Sequence, residues 1–588
     1  MHRLLKVILF FTAIMSLNVQ AAIIVVNSTN GGSGSTLCSL ADAIIAANTG
    51  GTSGGCTAGS NGGDEILFAS NLSNSTILLS ADLPTITDEL TITGPTGNNT
   101  ITVSGDDAYS IFVVEGVTLN ISNLELIHGF GTTASNSGSS GGAIAALSGA
   151  IVTVTDSKLL NNFADGDGGA IHAESSSFVH LSNCLVSNNT AHYGGGIYAH
   201  QGAQLEIVDC TFSGNSASTV SSAFGGAIAA FGWSSPTGIN IRNSRFLSNS
   251  TVGYGGAIFA GPGVEASVID SVFEGNTAHT GGAIRIQAGS SQFTSLSVAR
   301  SEFSNNHAWV YAAAVYAEGN VVFDAINSSF SNNHAGVEGG AFFFYSGTVN
   351  LNTIMASGNQ SSTGGAMSAW GSSVFPSVIK LTRSFLSENS ANIGGAIVAK
   401  YNAHIVVSDS TLSTNSADIH GGAIKSDMSI VELSNSTLSG NHSGIGGGAF
   451  YANNSSAVKI DNSTFAENDG GSLFSFNSSG SVLRNTVLAG GHCDLDGSSN
   501  VTLTGGVHID DGTCNATLVG PSQLAPLSYN GSGPIPTHMP IPGSPLVDHG
   551  VGGSGSNPIT DQRGHPRIVG IAVDIGSVEL PDPADNFN

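Results

Sequence analysis

The sequence predicts an all-β solenoid, a right-handed single-stranded parallel β-helix with an N-terminal and a C-terminal cap. Two interlocked motifs that keep one period predict it. The first reads Phe/Leu-x-x-Asn, from Leu159–Asn162, Leu185–Asn188 and Phe212–Asn215 through Phe246, Phe273, Phe303 and Phe330 to Phe465–Asn468. The second reads Gly-Gly-Ala-Ile or a close variant, with first glycines such as Gly168, Gly225, Gly255, Gly394 and Gly421. Copies mostly recur every 26 to 30 residues, a length that accommodates three short strands and three turns. Apolar runs within the period are short and alternating, bounded by Gly, Asn and Ser, which is a strand pattern rather than a helical one.

The elements follow in chain order. Residues 1–21 read as a secretory signal peptide: His2, Arg3 and Lys6, an apolar run from Val7 to Leu17, and small residues before a cut after Ala21. That run falls short of the roughly 20 apolar residues a membrane span needs. Residues 22–115 form the N-terminal cap and first irregular coils, beginning with an amphipathic helix from Thr36 to Asn48 that shields the open end of the solenoid. Residues 116–490 carry the regular coils. Roughly 17 coils at about 4.8 Å per coil give a rod about 80 Å long. Residues 491–588 form the C-terminal cap, rich in proline, where Asp and Glu residues face Arg563 and Arg567 and suggest ion-pair staples.

Each slot has a physical role. The Phe or Leu points inward and stacks on its counterpart in the next coil. The asparagine sits at a turn, tolerates left-handed geometry, and bonds the amides above and below it. Cysteine usage fits an oxidising compartment. Cys38 with Cys56, and Cys493 with Cys514, close short loops at the two ends. Cys184 and Cys210 hold one slot of consecutive coils, placing them as a disulfide or as stacked thiols.

Only 10% of residues are charged and the net charge is −26, which becomes −28 once Arg3 and Lys6 leave with the leader. A field of that sign repels nucleic acid and anionic lipid, so neither is an expected partner. The reading is of a secreted or cell-surface monomer without a transmembrane segment.

The start Cys38-Ser39-Leu40-x-x-Ala43-Ile44 and the tail resemble bacterial β-helix proteins of the choice-of-anchor Q type. The tail motifs are Ser544-Pro545-x-x-Asp548-x-Gly550, Asp561-x-Arg563-Gly564-x-x-Arg567 and Asp574-Ile575-Gly576-x-x-Glu579. The repeats resemble those of chlamydial-type polymorphic outer-membrane proteins, which are adhesins. These resemblances imply a pectate-lyase-like solenoid and an adhesin-like role.

Enzymes also use such solenoids, and a catalytic role would need reactive side chains gathered on one wall. Arg242, Arg245, Arg285, Arg300, Arg383 and Arg484 are scattered, with no acidic trio beside them for uronate lysis. The candidate catalytic group is Asp165, Asp167, His172 and Glu174, whose acidic turn also suits a Ca²⁺ ion. His192 with His279, and His307 with His334, share slots and read as solvated turn residues. Alternation places the residue after each Gly-Gly-Ala-Ile outward. Tyr198, Phe259, Arg285, Tyr316 and Phe343 are then expected to form an exposed ligand-binding stripe. The reading is a non-catalytic, adhesin-like protein for extracellular glycan or protein ligands, with no resident cofactor. The alternative is a polysaccharide lyase or glycoside hydrolase on the same fold.

Overall fold

The computed structural model describes residues 21–60, 62–97, 99–132, 141–218, 222–372, 376–531, 535–552 and 558–581. The expected signal peptide lies outside them, apart from Ala21. One coil shows the plan. Gln204–Val208 lies in sheet 1, Thr211–Ser213 in sheet 2, and Ile228–Phe231 in sheet 3. A two-residue strand at Ser216–Ala217 turns the corner between sheets 2 and 3. Every strand of these walls pairs in parallel with its equivalent one coil on, for example Leu205 with Ile239 and Phe212 with Phe246. Among the described residues, sheets 1 and 2 each hold 18 strands and sheet 3 holds 15. Fifteen coils therefore carry all three walls, somewhat fewer than the motif spacing predicts.

Inward side chains stack in files. Phe212, Phe246, Phe273, Phe303 and Phe330 are fully buried, with nearly parallel rings whose centroids lie 4.7–4.9 Å apart. Burying each contributes about 1.5–3 kcal/mol relative to exposure. The paired glycines let the corner close. Gly194 has φ 63°, and a Cβ there would meet the Ile197 carbonyl oxygen at 2.0 Å. A Cβ on Gly195 would meet the Gly226 oxygen of the next coil at 2.3 Å.

A buried asparagine ladder runs beside the phenylalanines, from Asn162 through Asn189, Asn215 and Asn249 to Asn468. Asn189 shows the pattern. Its Nδ2 donates to Asn215 Oδ1 and to the Leu159 carbonyl, each at 2.9 Å. Its Oδ1 accepts from the backbone N–H and the Nδ2 of Asn162, also at 2.9 Å. All four amide bonding positions are thus filled without water.

The asparagine assignment from sequence is corrected by this arrangement. The left-handed turn and the ladder belong to two adjacent residues, not to one. Asn188 (φ 54°) and Asn305 (φ 55°) are exposed and make the turn, whereas Asn189 and Asn306 form the ladder. The motif at Leu185–Asn188 is consequently one residue out of frame: Val186 points inward, paired with Leu159 and Phe212.

A second file is built from serines, in which each backbone N–H donates to the hydroxyl one coil on: Ser244 to Ser271, Ser271 to Ser301, Ser301 to Ser328, all at 3.1 Å. Cys184 and Cys210 fill two positions of this file and are unbonded thiols. Cys184 N–H donates to Cys210 Sγ at 3.4 Å, and Cys210 N–H to Ser244 Oγ at 3.1 Å. Sulfur stands in for the serine oxygen, which accounts for their stacked placement.

Both expected terminal disulfides are present, Cys38–Cys56 and Cys493–Cys514. The helix Leu40–Thr49 begins at Ser39, whose hydroxyl accepts from Asp42 N–H, and ends at left-handed Gly50. It buries Leu40, Ala43, Ile44 and Ala47 against the first coil.

At the other end the coils run past 490, to Val507–Ile509. The remaining tail folds back along the outer face of sheet 2. Thr411 donates to the Pro536 carbonyl, Thr437 to Gln562 Oε1, and Ser577 N–H to Thr464 Oγ1, at 2.7, 2.6 and 2.9 Å. Of the tail's two arginines only Arg563 forms an ion pair among the described residues, with Asp561 at 2.6 Å. Buried Arg567 instead donates to Asn462 Oδ1 at 3.1 Å and to the Gly576 carbonyl. Buried Glu579 accepts from Asp574 N–H at 3.0 Å. Burial, and then the neighbouring Asp574, push its carboxyl up to about 7.

Two outcomes follow. Asn189→Ala strands the buried Asn162 N–H and one of its Nδ2 hydrogens, so urea unfolding should show a loss of at least about 2 kcal/mol, since each stranded buried group costs about 1–3 kcal/mol. Asn188→Gly, which keeps the left-handed turn, should cost under about 1 kcal/mol at this exposed position. An equal loss at both positions would contradict the division into turn and ladder residues. For Glu579, the folded-state value lies above the unfolded one near 4.5. Ionisation therefore penalises the folded state progressively from about pH 4.5 to 7, and fully above 7. Glu579→Gln should melt close to wild type at about pH 4.5 and above it at about pH 8.

Candidate functional site on the outer face of sheet 3

Strand alternation gives sheet 3 two outward files. One runs from Val113 and Ala145 through His172, Tyr198, Ala229 and Phe259, and the other includes His200 and Phe231, with Glu174 one coil before His200. The expected stripe does point away from the solenoid core, since Ile197 and Ala199 on either side of Tyr198 face inward. It is not exposed, however. Phe259 is 1% accessible and Phe343 2%, and Tyr198, Arg285 and Tyr316 are also buried.

The cover comes from the turn just before each glycine pair. It carries a ladder of its own, Asp167–Tyr193–Phe224–Tyr254–Thr280 and Tyr311–Glu338–Thr363. Phe224 packs on Phe259 at 4.5 Å and Tyr311 on Phe343 at 4.8 Å. The Arg285 guanidinium lies between the Tyr254 and Tyr316 rings, 4.0 and 4.5 Å from their centroids. It also donates to Thr280 Oγ1 at 2.6 Å and pairs with Glu318 at 2.5 Å. These residues form a satellite core outside the wall, and the exposed-stripe expectation is corrected accordingly.

What this face does expose is a second aromatic group. Tyr345, Trp370 and Tyr401 stand in an edge-to-face series, with centroid distances of 6.4 and 5.3 Å. Tyr345 is 38% and Tyr401 46% accessible. Trp370 Nε1 donates to buried Glu338 at 2.8 Å, and Ser368 Oγ to the same oxygen at 2.7 Å. Lys400 pairs with Glu338 at 3.1 Å while lying 5.4 Å over the Trp370 ring. A buried carboxylate therefore fixes the tryptophan and holds a cation over its ring. Sequence reasoning passed over these residues, although Tyr345 and Trp370 lie two positions beyond Phe343 and Ser368 and are outward by the same alternation.

The candidate catalytic group divides. His172 and Glu174 come together with His200, which was not among the residues expected from sequence. Glu174 Oε2 lies 3.5 Å from His172 Nε2 and 3.4 Å from His200 Nε2. The two histidines hold the Glu174 carboxyl down to about 2. Asp167 lies close enough to feel both imidazoles, and burial pushes its carboxyl up. Asp165 lies half-buried on the adjoining turn. The spacing Glu174 to His200 is one coil, the signal that could have found the missing histidine. A group with two imidazoles differs from the oxygen-only calcium site expected at this turn. His307 and His334 stack at 5.4 Å on the corner strands, as their shared slot predicts.

A groove of about 540 Å³ lies on another side, between sheets 1 and 2 beside the tail's Ile535. Its Arg300 is already committed to Asp270 through two bonds of 2.7 Å.

Residues 92–266 match the family model described as right handed beta helix region. With the parallel walls described above, the fold is a right-handed parallel β-helix. The match takes in the coils that carry His172, Glu174 and His200. No curated protein matches the chain. Among the described residues no helix is long and apolar enough to cross a membrane.

Because Phe259 is packed as core, Phe259→Ala should destabilise the protein by about 3 kcal/mol or more in a denaturant titration. A solvent-facing phenylalanine would cost less than about 0.5 kcal/mol, and that result would restore the exposed stripe.

Proposed function

We propose that this protein is a secreted or cell-surface, adhesin-like β-helix that binds extracellular glycans without turning them over. The observation that carries this reading is the Tyr345–Trp370–Tyr401 platform, two of whose rings are substantially accessible. Aromatic faces stack on the apolar faces of sugar rings, and Lys400, whose side chain is 19% accessible beside the platform, offers hydrogen bonds to hydroxyls. Because Glu338 and the rigid wall hold Trp370 in place, little conformational freedom is lost on binding. Two disulfides are compatible with an oxidising, extracellular setting. The resemblance of the repeats to adhesin repeats supports the same reading.

The test is a glycan array followed by titration of the strongest binders. Trp370→Ala and Tyr401→Ala should each weaken binding by about tenfold or more, as for aromatic anchors at other interfaces. Exposed Tyr401→Ala should melt near wild type, and Trp370→Ala lower, because buried Glu338 loses a donor. Undiminished binding in both variants would remove the platform from the reading. Release of new reducing ends or unsaturated products from a bound polysaccharide would replace it with the enzymatic alternative.

A further inference from the structure

We propose that His172, Glu174 and His200 form a binding site for a first-row transition-metal dication of the zinc class. The site is built by the wall itself. Alternation puts His172 and Glu174 on the same side of one strand. The register pairs His172 with Tyr198 and Ala173 with Ala199, which brings Glu174 beside His200 of the next coil. Neither loop closure nor rearrangement is needed to assemble the three side chains.

The spacing fits a shared ion better than direct hydrogen bonds. The three ligand atoms lie within 4.8 Å of one another. Glu174 Oε2 stands 3.4 and 3.5 Å from the two imidazole nitrogens, beyond the range of about 2.7–2.9 Å for a charge-assisted bond. Metal–ligand bonds of about 2.0–2.2 Å at tetrahedral angles set neighbouring ligand atoms about 3.3–3.5 Å apart. Burial supplies an independent observation. His172 is 4% accessible, and neither of its ring nitrogens has a hydrogen-bond partner; His200 Nε2 is likewise buried and unpartnered. Buried polar atoms without partners are rare, because each costs about 1–3 kcal/mol. An ion at this point satisfies the two Nε2 atoms at once.

Ligand chemistry selects the ion. Two imidazoles and one carboxylate suit zinc and its first-row neighbours, whereas calcium and magnesium take oxygen ligands. The net charge of −26 favours any cation. Three protein ligands leave one coordination position. It faces outward, since the Glu174 side chain is 29% accessible and His200 13%, against 5% for His172. The Tyr198 ring, 5.5 Å from the His172 ring and 5.1 Å from that of His200, walls one side. Several coils separate this site from Tyr345, so it is independent of the aromatic platform, and neither reading depends on the other.

The full chain, stripped with a chelator and dialysed, is titrated with ZnCl₂ against a chromophoric competitor. The expected result is one equivalent bound, with cobalt(II) giving the visible absorption of a low-coordinate site. His200→Gln and Glu174→Gln should each weaken binding by about 100-fold or more, since loss of even an outer-shell partner costs about 10–100-fold. Both variants should melt like the stripped wild type, because the altered side chains lie at the accessible edge. His404→Gln alters a histidine–carboxylate pair elsewhere and should leave the affinity unchanged. Absence of stoichiometric binding by the wild type would overturn the proposal, as would undiminished affinity in His200→Gln. Displacement of zinc by equimolar calcium would overturn the assignment of ion class.

Discussion

The structure depends on one side-chain amide being placed, coil after coil, where it can bond to its own equivalent. A parallel solenoid has no hairpins to fix its register, and a slip of one residue would turn every inward side chain outward. The asparagine ladder removes that freedom. Each amide reaches both neighbouring coils, so a coil out of register would leave several buried polar groups unpaired. Once the asparagines align, the phenylalanine and serine files and all three sheets must align with them. Coil lengths differ mainly in the turns, and the ladder accommodates separations of 26 to 34 residues without a break.

That dependence explains what was legible in the sequence. Period, strand character and the direction of the outward file are all repetitive, and repetition is visible along one dimension; the terminal disulfides were legible as local pairs closing short loops. Frame was harder to read. At Leu185-Val186 and Asn188-Asn189 two adjacent residues fit each slot, and only the coils above and below select Val186 and Asn189. The same doubling occurs at Asn305-Asn306 and Asn332-Asn333. Burial of the outward file was not read from the sequence, although its cover stands five residues ahead in each coil (Tyr193 before Tyr198, Tyr254 before Phe259), because the covering ring packs across coils, as Phe224 does on Phe259. His200 and Trp370 were legible in principle, lying one coil and two residues respectively from positions that periodicity singles out. Arg567 was not, since nothing local shows that carbonyl oxygens rather than carboxylates would receive it.

The satellite core changes what the sheet 3 wall can do. Arg285 between two tyrosines, and Phe259 beneath Phe224, add a second packed layer outside the first. Side chains protruding from that layer rest on buried neighbours rather than on water. Tyr345, Trp370 and Tyr401 are presented in this way, and so is Glu174 beside buried His172. A wall that fixes its outer side chains suits recognition, because less ordering is left to be done when a ligand arrives. The tail performs a different service on sheet 2. It threads its polar groups onto the threonine file Thr411, Thr437 and Thr464, ties several late coils together, and covers outward surface there.

The asparagine ladder also gives the rod an electrical direction. In every one of its eleven side-chain links Nδ2 donates toward the C-terminal neighbour. The amide dipoles therefore add head to tail, as the peptide dipoles of an α-helix do, and each link polarises the next. The oxygen end of this buried wire points toward Gly129, whose backbone N–H caps it at 2.8 Å. Its hydrogen end lies at Asn468, beside the acidic Asp469. The ladder is in this respect not symmetrical end to end, and its first and last coils carry opposite partial charges inside the rod.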